Sequence, residues 1–538
     1  MVTARMFAPL VALTLLEGGI LGHVVFADDV SAVSKKIDAA ILEQLDRAKI
    51  RPAPRADHPR LVRRIYLDVL GRIPTADETR VYLDDSRPDK HHRLIDSLVT
   101  HPEFSVAWRK FLDSWFNGPY DRQTRGIGHE EFLSWLQRSI ESKKSWDSLA
   151  RELILPKDAD AQQKGASYFL TSRMRNDREV QIDNLATGFA SGLFGVQLQC
   201  AKCHDHPFVD AWKQDHYYGL ATFFARVDPK NVGNDKDASE VKFATRKKGE
   251  KTASAMFLDS VVLDPAGDPK KNAGRAVNRR QLLVDHALKP ESPYFKRSFV
   301  NRMWKQLMGR GLVEPVDQIH DANPASHPEL LNWLADDFAA NRFAIERTLL
   351  GILHSDAYLR DSRIDASPRP GDETYAASVL KPLSGEQMAW SMVVASGYAD
   401  VLAKKFAKDV TPPKVGDVGP SLRMRWEKDV EFDAVIGRFR SGSEAFQANV
   451  SQALFATFNP FAKKLIEPKG NPYVQRLAAE KDDRALARTA YLAVLSRFPT
   501  DAEADDVVAY FRNATDRNAA VGDLLWSLMT TAEFRFNH

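Results

Sequence analysis

One stretch of this chain occurs twice, and the repetition constrains its fold more than any other feature. Leu61 to Thr75 aligns without a gap with Leu486 to Thr500, pairing Arg63 with Arg488, Tyr66 with Tyr491, Arg72 with Arg497 and Pro74 with Pro499. Leu61, Ile65, Val69 and Leu70 recur at helical spacing, and Gly71 and Pro74 end that helix. Thr75 with Glu78 then forms a capping box that launches a second helix, and Thr500 with Glu503 rebuilds the box in the other copy. Glu103-Phe104 is echoed by Glu533-Phe534, so the likeness extends over a three-helix module, 59–104 against 484–538. Duplication at the two ends predicts modules that pack together as a pseudo-symmetric pair. Arg63, Arg72 and their counterparts read as helix-end and interhelical ion pairs, with an acidic partner as the alternative.

A chain of 538 residues exceeds the roughly 250–300 residues that one apolar core supports, so two packed units are expected. The predicted fold is mainly α: a multi-helical two-domain protein with a small β insert near 226–265. Val30, Val33, Ile37, Ile41 and Leu45 mark the first amphipathic helix. Trp108, Phe111, Leu112 and Trp115 carry an aromatic stripe of the kind that fills cores. The run through Leu185, Phe189 and Leu193 is a helix whose small face, Gly188, Ala190, Ser191 and Gly192, admits another backbone or a flat cofactor. Val241 to Thr245 and Met256 to Leu263 predict a small hairpin or sheet. Helices resume from Val277, with Gly309 ending one and Ser326-His327-Pro328-Glu329 predicted as a further capping box. His327 is a structural or a metal-ligating residue on this reading.

Both cysteines of the chain fall in one motif, Cys200-Ala201-Lys202-Cys203-His204-Asp205-His206-Pro207-Phe208. Two thiols three residues apart, followed by a histidine, is the spacing by which thiols add to the vinyl groups of haem while the histidine becomes the proximal iron ligand. Cys200, Cys203 and His204 are therefore the candidate cofactor-binding residues, with His204 on the haem iron. Trp212, Tyr217, Tyr218, Phe223 and Phe224 follow and suit either a porphyrin wall or a plain core. His58, His216, His327, Met174 and Met303 stay open as distal ligands. His206 sits too near His204 to reach the opposite face of one iron. Asp205 either hydrogen-bonds a ligand histidine or caps the loop.

Two other readings use the same residues. A Cys200–Cys203 disulfide stiffening a turn suits an exported structural or interaction protein. A non-haem metal site would take His206 together with Cys200, Cys203 and His204, although four ligands within seven residues crowd a tetrahedral ion.

Export is read from residues 1–27, where Arg5 supplies the charge, Met6 to Leu16 the apolar run, and Val25-Phe26-Ala27 the cleavage site. No later run is long and apolar enough to span a bilayer, so no transmembrane segment is expected after cleavage. Lys plus Arg number 75 against 72 Asp plus Glu, an interspersed near-balance with no field for nucleic acid. No serine triad, phosphate loop or carboxylate pair stands out to carry a hydrolysis.

Several stretches resemble a known domain pair. Leu61 to Thr75, Gln199 to Phe208 and Tyr217 to Phe224 resemble the DUF1549 or PSCyt2 domain, the planctomycete cytochrome-like domain. Phe299 to Trp304, Gly309 to Val313, Asn323 to Leu331 and Leu380 to Gly397 resemble the DUF1553 or PSD1 domain that follows it. The resemblance implies an exported, mostly helical, two-domain protein of planctomycete-like bacteria, with a haem motif but no assigned reaction. The expected organisation is a signal over 1–27, a DUF1549-like domain over 28–225, a β-prone insert over 226–275 and a DUF1553-like domain over 276–538. The expected function is c-type-cytochrome-like: haem c held covalently, serving electron transfer or redox chemistry with a redox partner protein.

Overall fold

The stripe from Val30 to Leu45 folds as the helix Ala27–Ala48, with all five of its apolar residues buried. In this computed structural model the described residues are 27–119, 125–174, 177–206, 209, 212–235, 240–245, 249–265, 278–411, 418–439 and 459–538. The expected leader, apart from Ala27, therefore lies outside them, as do Pro207 and Phe208. The first helix packs on the helix Ile345–Leu353, far away in sequence. Gly351 makes the approach possible, because a Cβ there would stand 2.3 Å from Val33.

The molecule is mainly helical, and among the described residues its strands pair only in two-stranded sheets. The first module consists of helices His58–Leu70, Ala76–Asp84 and Lys90–Val99, followed by Pro102–Asn117. The second consists of Asp483–Leu495, Asp501–Arg512 and Arg517–Thr530, followed by the short Ala532–Arg535. Each first helix ends on a left-handed residue, Gly71 at φ 66° and Ser496 at φ 59°. Both capping boxes are made.

The second repeated arginine, Arg72 in one copy and Arg497 in the other, is the internal tie of each module. Arg72 donates to Glu78 at 2.8 Å and Glu103 at 3.0 Å, and to the carbonyl of Ile73. Arg497 repeats each bond, to Glu503 at 2.8 Å, Glu533 at 2.7 Å and the carbonyl of Phe498. Each guanidinium also lies over the ring of its repeated tyrosine, Tyr66 at 5.4 Å or Tyr491 at 5.3 Å. Arg63 joins the copies. It donates to the carbonyls of Val494 (3.2 Å) and Phe534 (2.7 Å), placing a buried cation against the C-terminal end of the second module's first helix.

Buried apolar side chains form two clusters, one running from Val30 to Ala376 and the other from Leu383 to Phe534. Leu67 and Ile73 of the first module belong to the second cluster, so the two cores meet at the first copy of the repeat.

Two local expectations need correction. The run from Met256 to Leu263 is not one strand: Ser260 is left-handed at φ 68°, so Ala255–Met256 turns back onto Val262–Asp264. Lys242–Thr245 pairs separately with Gly249–Thr252. The box predicted at Ser326 does not form, because helix Pro328–Ala340 begins one residue later with His327 as its N-cap, and that side chain makes no capping bond. The Ser326 hydroxyl instead lies 3.2 Å from His327 Nδ1, while the His327 ring is buried against Tyr375.

Candidate functional site

The cysteine motif hangs between two helices, and each helps to fix it. Helix Arg178–Phe194 starts on the Asp177 cap and stops at left-handed Gly195. Its small face is occupied by protein: a Cβ on Gly188 would meet the Arg173 side chain at 2.6 Å, and one on Gly192 would touch the Phe116 ring at 3.6 Å. Val196 then bridges Gln318 before the chain winds into a 3-10 turn, Gln199–Lys202. Beyond the motif, helix Gln214–Thr222 packs back over the turn.

Several contacts hold the turn. Ala201 is buried beneath it. Lys202 pairs through Nζ with Asp183 at 3.2 Å, and its carbonyl accepts from the Tyr218 hydroxyl at 3.1 Å and the Gln214 amide at 3.2 Å. Tyr217 donates its hydroxyl to the same Asp183. Asp205 accepts the backbone N–H of Gln214 at 3.1 Å, at the start of the following helix. Its carboxylate therefore caps the loop, the second of the two roles open to it.

The reactive atoms lie on the outside. Cys200 and Cys203 are exposed and free, so the disulfide alternative is not realised. In a 3-10 turn, positions i and i+3 eclipse, which sends both side chains off the same side. His204 is exposed as well, and its Nδ1 lies 2.7 Å from the carbonyl oxygen of Asp205. A carbonyl only accepts, so Nδ1 carries a proton, and in the neutral ring the lone pair is then on Nε2. Ligand histidines are typically held in this way, one nitrogen donating to a backbone carbonyl and the other left for the metal.

His206 donates its backbone N–H to the Trp212 carbonyl at 2.8 Å, and its ring meets Trp212 edge-on. Among the described residues, no three His, Cys, Asp or Glu side chains are gathered as a metal ion requires. The four-ligand site of Cys200, Cys203, His204 and His206 is thus not assembled, in keeping with their crowding along one turn.

The following aromatics belong to the interior. Trp212, Tyr217, Phe223 and Phe224 are buried, Phe224 stacks on Phe189, and Tyr218 stacks on Phe243 at 4.1 Å. Of the distal candidates, His216 has both ring nitrogens committed, to Lys213 N–H and the Ser260 hydroxyl. Met303 and His327 are buried, and His58 lies edge-on to Tyr82 in the first module. The imidazole brought near the motif is His320, 5.2 Å from Trp212 and 6.5 Å from His206 between ring centroids. Burial first, then the neighbouring His206, lowers its pKa. The bridge between Val196 and Gln318 delivers it, and no local pattern in the sequence announces it.

Residues 36–229 match the family model PSCyt2, a protein of unknown function (DUF1549), and residues 279–511 match PSD1, a protein of unknown function (DUF1553). The chain carries PSCyt2 and PSD1 domains in tandem. The cysteine turn lies within the PSCyt2 match and His320 within the PSD1 match, so the surroundings of the motif draw on both. Among the curated proteins and the solved structures, nothing matches the chain.

Proposed function

We propose that this PSCyt2–PSD1 protein is an exported, c-type-cytochrome-like electron carrier with one haem held covalently at the exposed turn. The observation that carries the reading is the His204 ring, fixed through Nδ1 by the Asp205 carbonyl so that Nε2 is presented as a ligand beside two free thiols. Attachment adds the S–H of Cys200 and of Cys203 across one vinyl group each, forming a C–S and a C–H bond with nothing released. When bound, the haem supplies one-electron exchange. The chain's own part is to hold the turn on Lys202, Asp183 and Gln214 and to keep the site at the surface, open to a redox partner.

Expression in a host with haem-maturation machinery tests this. The expected product is mature from Asp28, carries the added mass of one haem and gives the reduced pyridine haemochrome of a thioether-linked group. An unmodified mass overturns the reading and leaves an interaction protein with a thiol pair, and a mass short by two hydrogens overturns it and leaves one with a Cys200–Cys203 disulfide. Among the described residues no helix is long and apolar enough to cross a membrane.

A further inference from the structure

A cleft of about 570 Å³ opens where the two apolar cores meet, well within the ~300–1,000 Å³ of small-molecule sites. Phe111 and Trp115 line it from the helix Pro102–Asn117, Arg302 and Gln306 from Pro293–Met308, and Leu380 from the segment between the cores. The aromatic stripe of the first module is therefore only partly core. Trp108 is buried, but Phe111 and Trp115 remain partly exposed on the cleft side.

Most cations around this cleft are spent on carboxylates: Lys381 on Asp68 at 2.6 Å, Arg423 on Glu103 at 3.2 Å and Lys305 on Glu314 at 2.7 Å. Arg302 is not. It donates to the carbonyl of Ser191 at 2.8 Å, reaches the Ser191 hydroxyl at 3.4 Å and lies 5.5 Å over the Trp115 ring. Its Nε is buried with no partner. The acids nearest in charge are already engaged, Asp317 with Gln197 and Glu314 with Lys305. A cleft-lining guanidinium that pairs with no carboxylate among the described residues, beside partly exposed aromatic rings, matches a ligand that brings a carboxylate and a flat face together.

We propose that this cleft binds a small organic anion built on a ring with a flat apolar face, its carboxylate on Arg302 and that face against Phe111 and Trp115. Two kinds of compound share that chemistry, a uronic acid sugar and an aromatic carboxylate. Isothermal titration of the full chain with galacturonate and benzoate, against the neutral galactose and benzamide, separates them. At least one anion is expected to bind about tenfold or more tighter than its neutral counterpart, with Arg302→Gln removing that difference. Arg302→Lys, which keeps the charge but loses the fork, is expected to weaken the anion severalfold, and Phe111→Ala to weaken anion and neutral ligand alike. Thermal melts of each variant confirm that the fold persists. Binding of neither anion, equal binding of anion and neutral partner, or full anion affinity in a folded Arg302→Gln variant overturns the proposal.

Discussion

His204 and Asp205 divide their work between side chain and backbone. The Asp205 carbonyl orients His204, whereas its carboxylate accepts the Gln214 N–H nine residues on. Asp205→Ala is therefore expected to leave haem attachment intact while costing about 1 kcal/mol of stability, read as a lowered urea midpoint. His204→Ala is expected to keep a covalently linked chromophore but lose the low-spin visible spectrum of a histidine-ligated iron. Cys200→Ser with Cys203→Ser is expected to abolish covalent attachment with little change in the melt, because both thiols stand in solvent. A sequence pattern reveals such residues because the proposed thioether attachment would fix their spacing. His320 stayed hidden because it reaches the motif through a contact more than a hundred positions away.

The two arginine networks are the same motif in different solvent. Arg72 has a side-chain exposure of 0%, whereas Arg497 keeps 24%. Removing one partner from a buried network strands the remaining charges, so Arg72→Ala is expected to cost about 3–5 kcal/mol. Arg497→Ala, screened by water, is expected to cost about 1 kcal/mol or less. Equal losses in urea unfolding would contradict this account. The networks were legible in the sequence as repeated Arg, Glu and Thr residues at fixed spacing, and the helices as apolar periodicity. Ser326 misled because its hydroxyl has a closer partner in His327, a choice that spacing does not record. The aromatic stripe was legible as a stripe, but which rings stay uncovered depends on how helix Pro293–Met308 and the second core come to face it.

Acid acts on the whole molecule in two stages. His91, His327 and His538 are each pushed down to about 4, from an ordinary value of 6.5, chiefly by burial. The unfolded chain takes up these protons first, so stability is fully present above pH 6.5 and falls as the pH drops toward 4. Glu103 is held at about 2: burial opposes its charge, but Arg72 and Arg423 outweigh that cost. Its contribution is present above the ordinary carboxylate value and is lost between about pH 4.5 and 2. Urea midpoints measured from pH 8 to 3 are expected to decline below pH 6.5, and His327→Gln to flatten the upper part of that decline. The cysteine turn and its His320 neighbour share one frame, because Leu198, Ala201 and Ile319 all sit in the first core, and the proposed haem function rests there. The most direct test of that function is the intact mass and reduced pyridine haemochrome of the protein matured with haem-attachment machinery. One covalent haem, lost in the double cysteine variant, is the predicted result. A chain of unmodified mass with no haemochrome would contradict it.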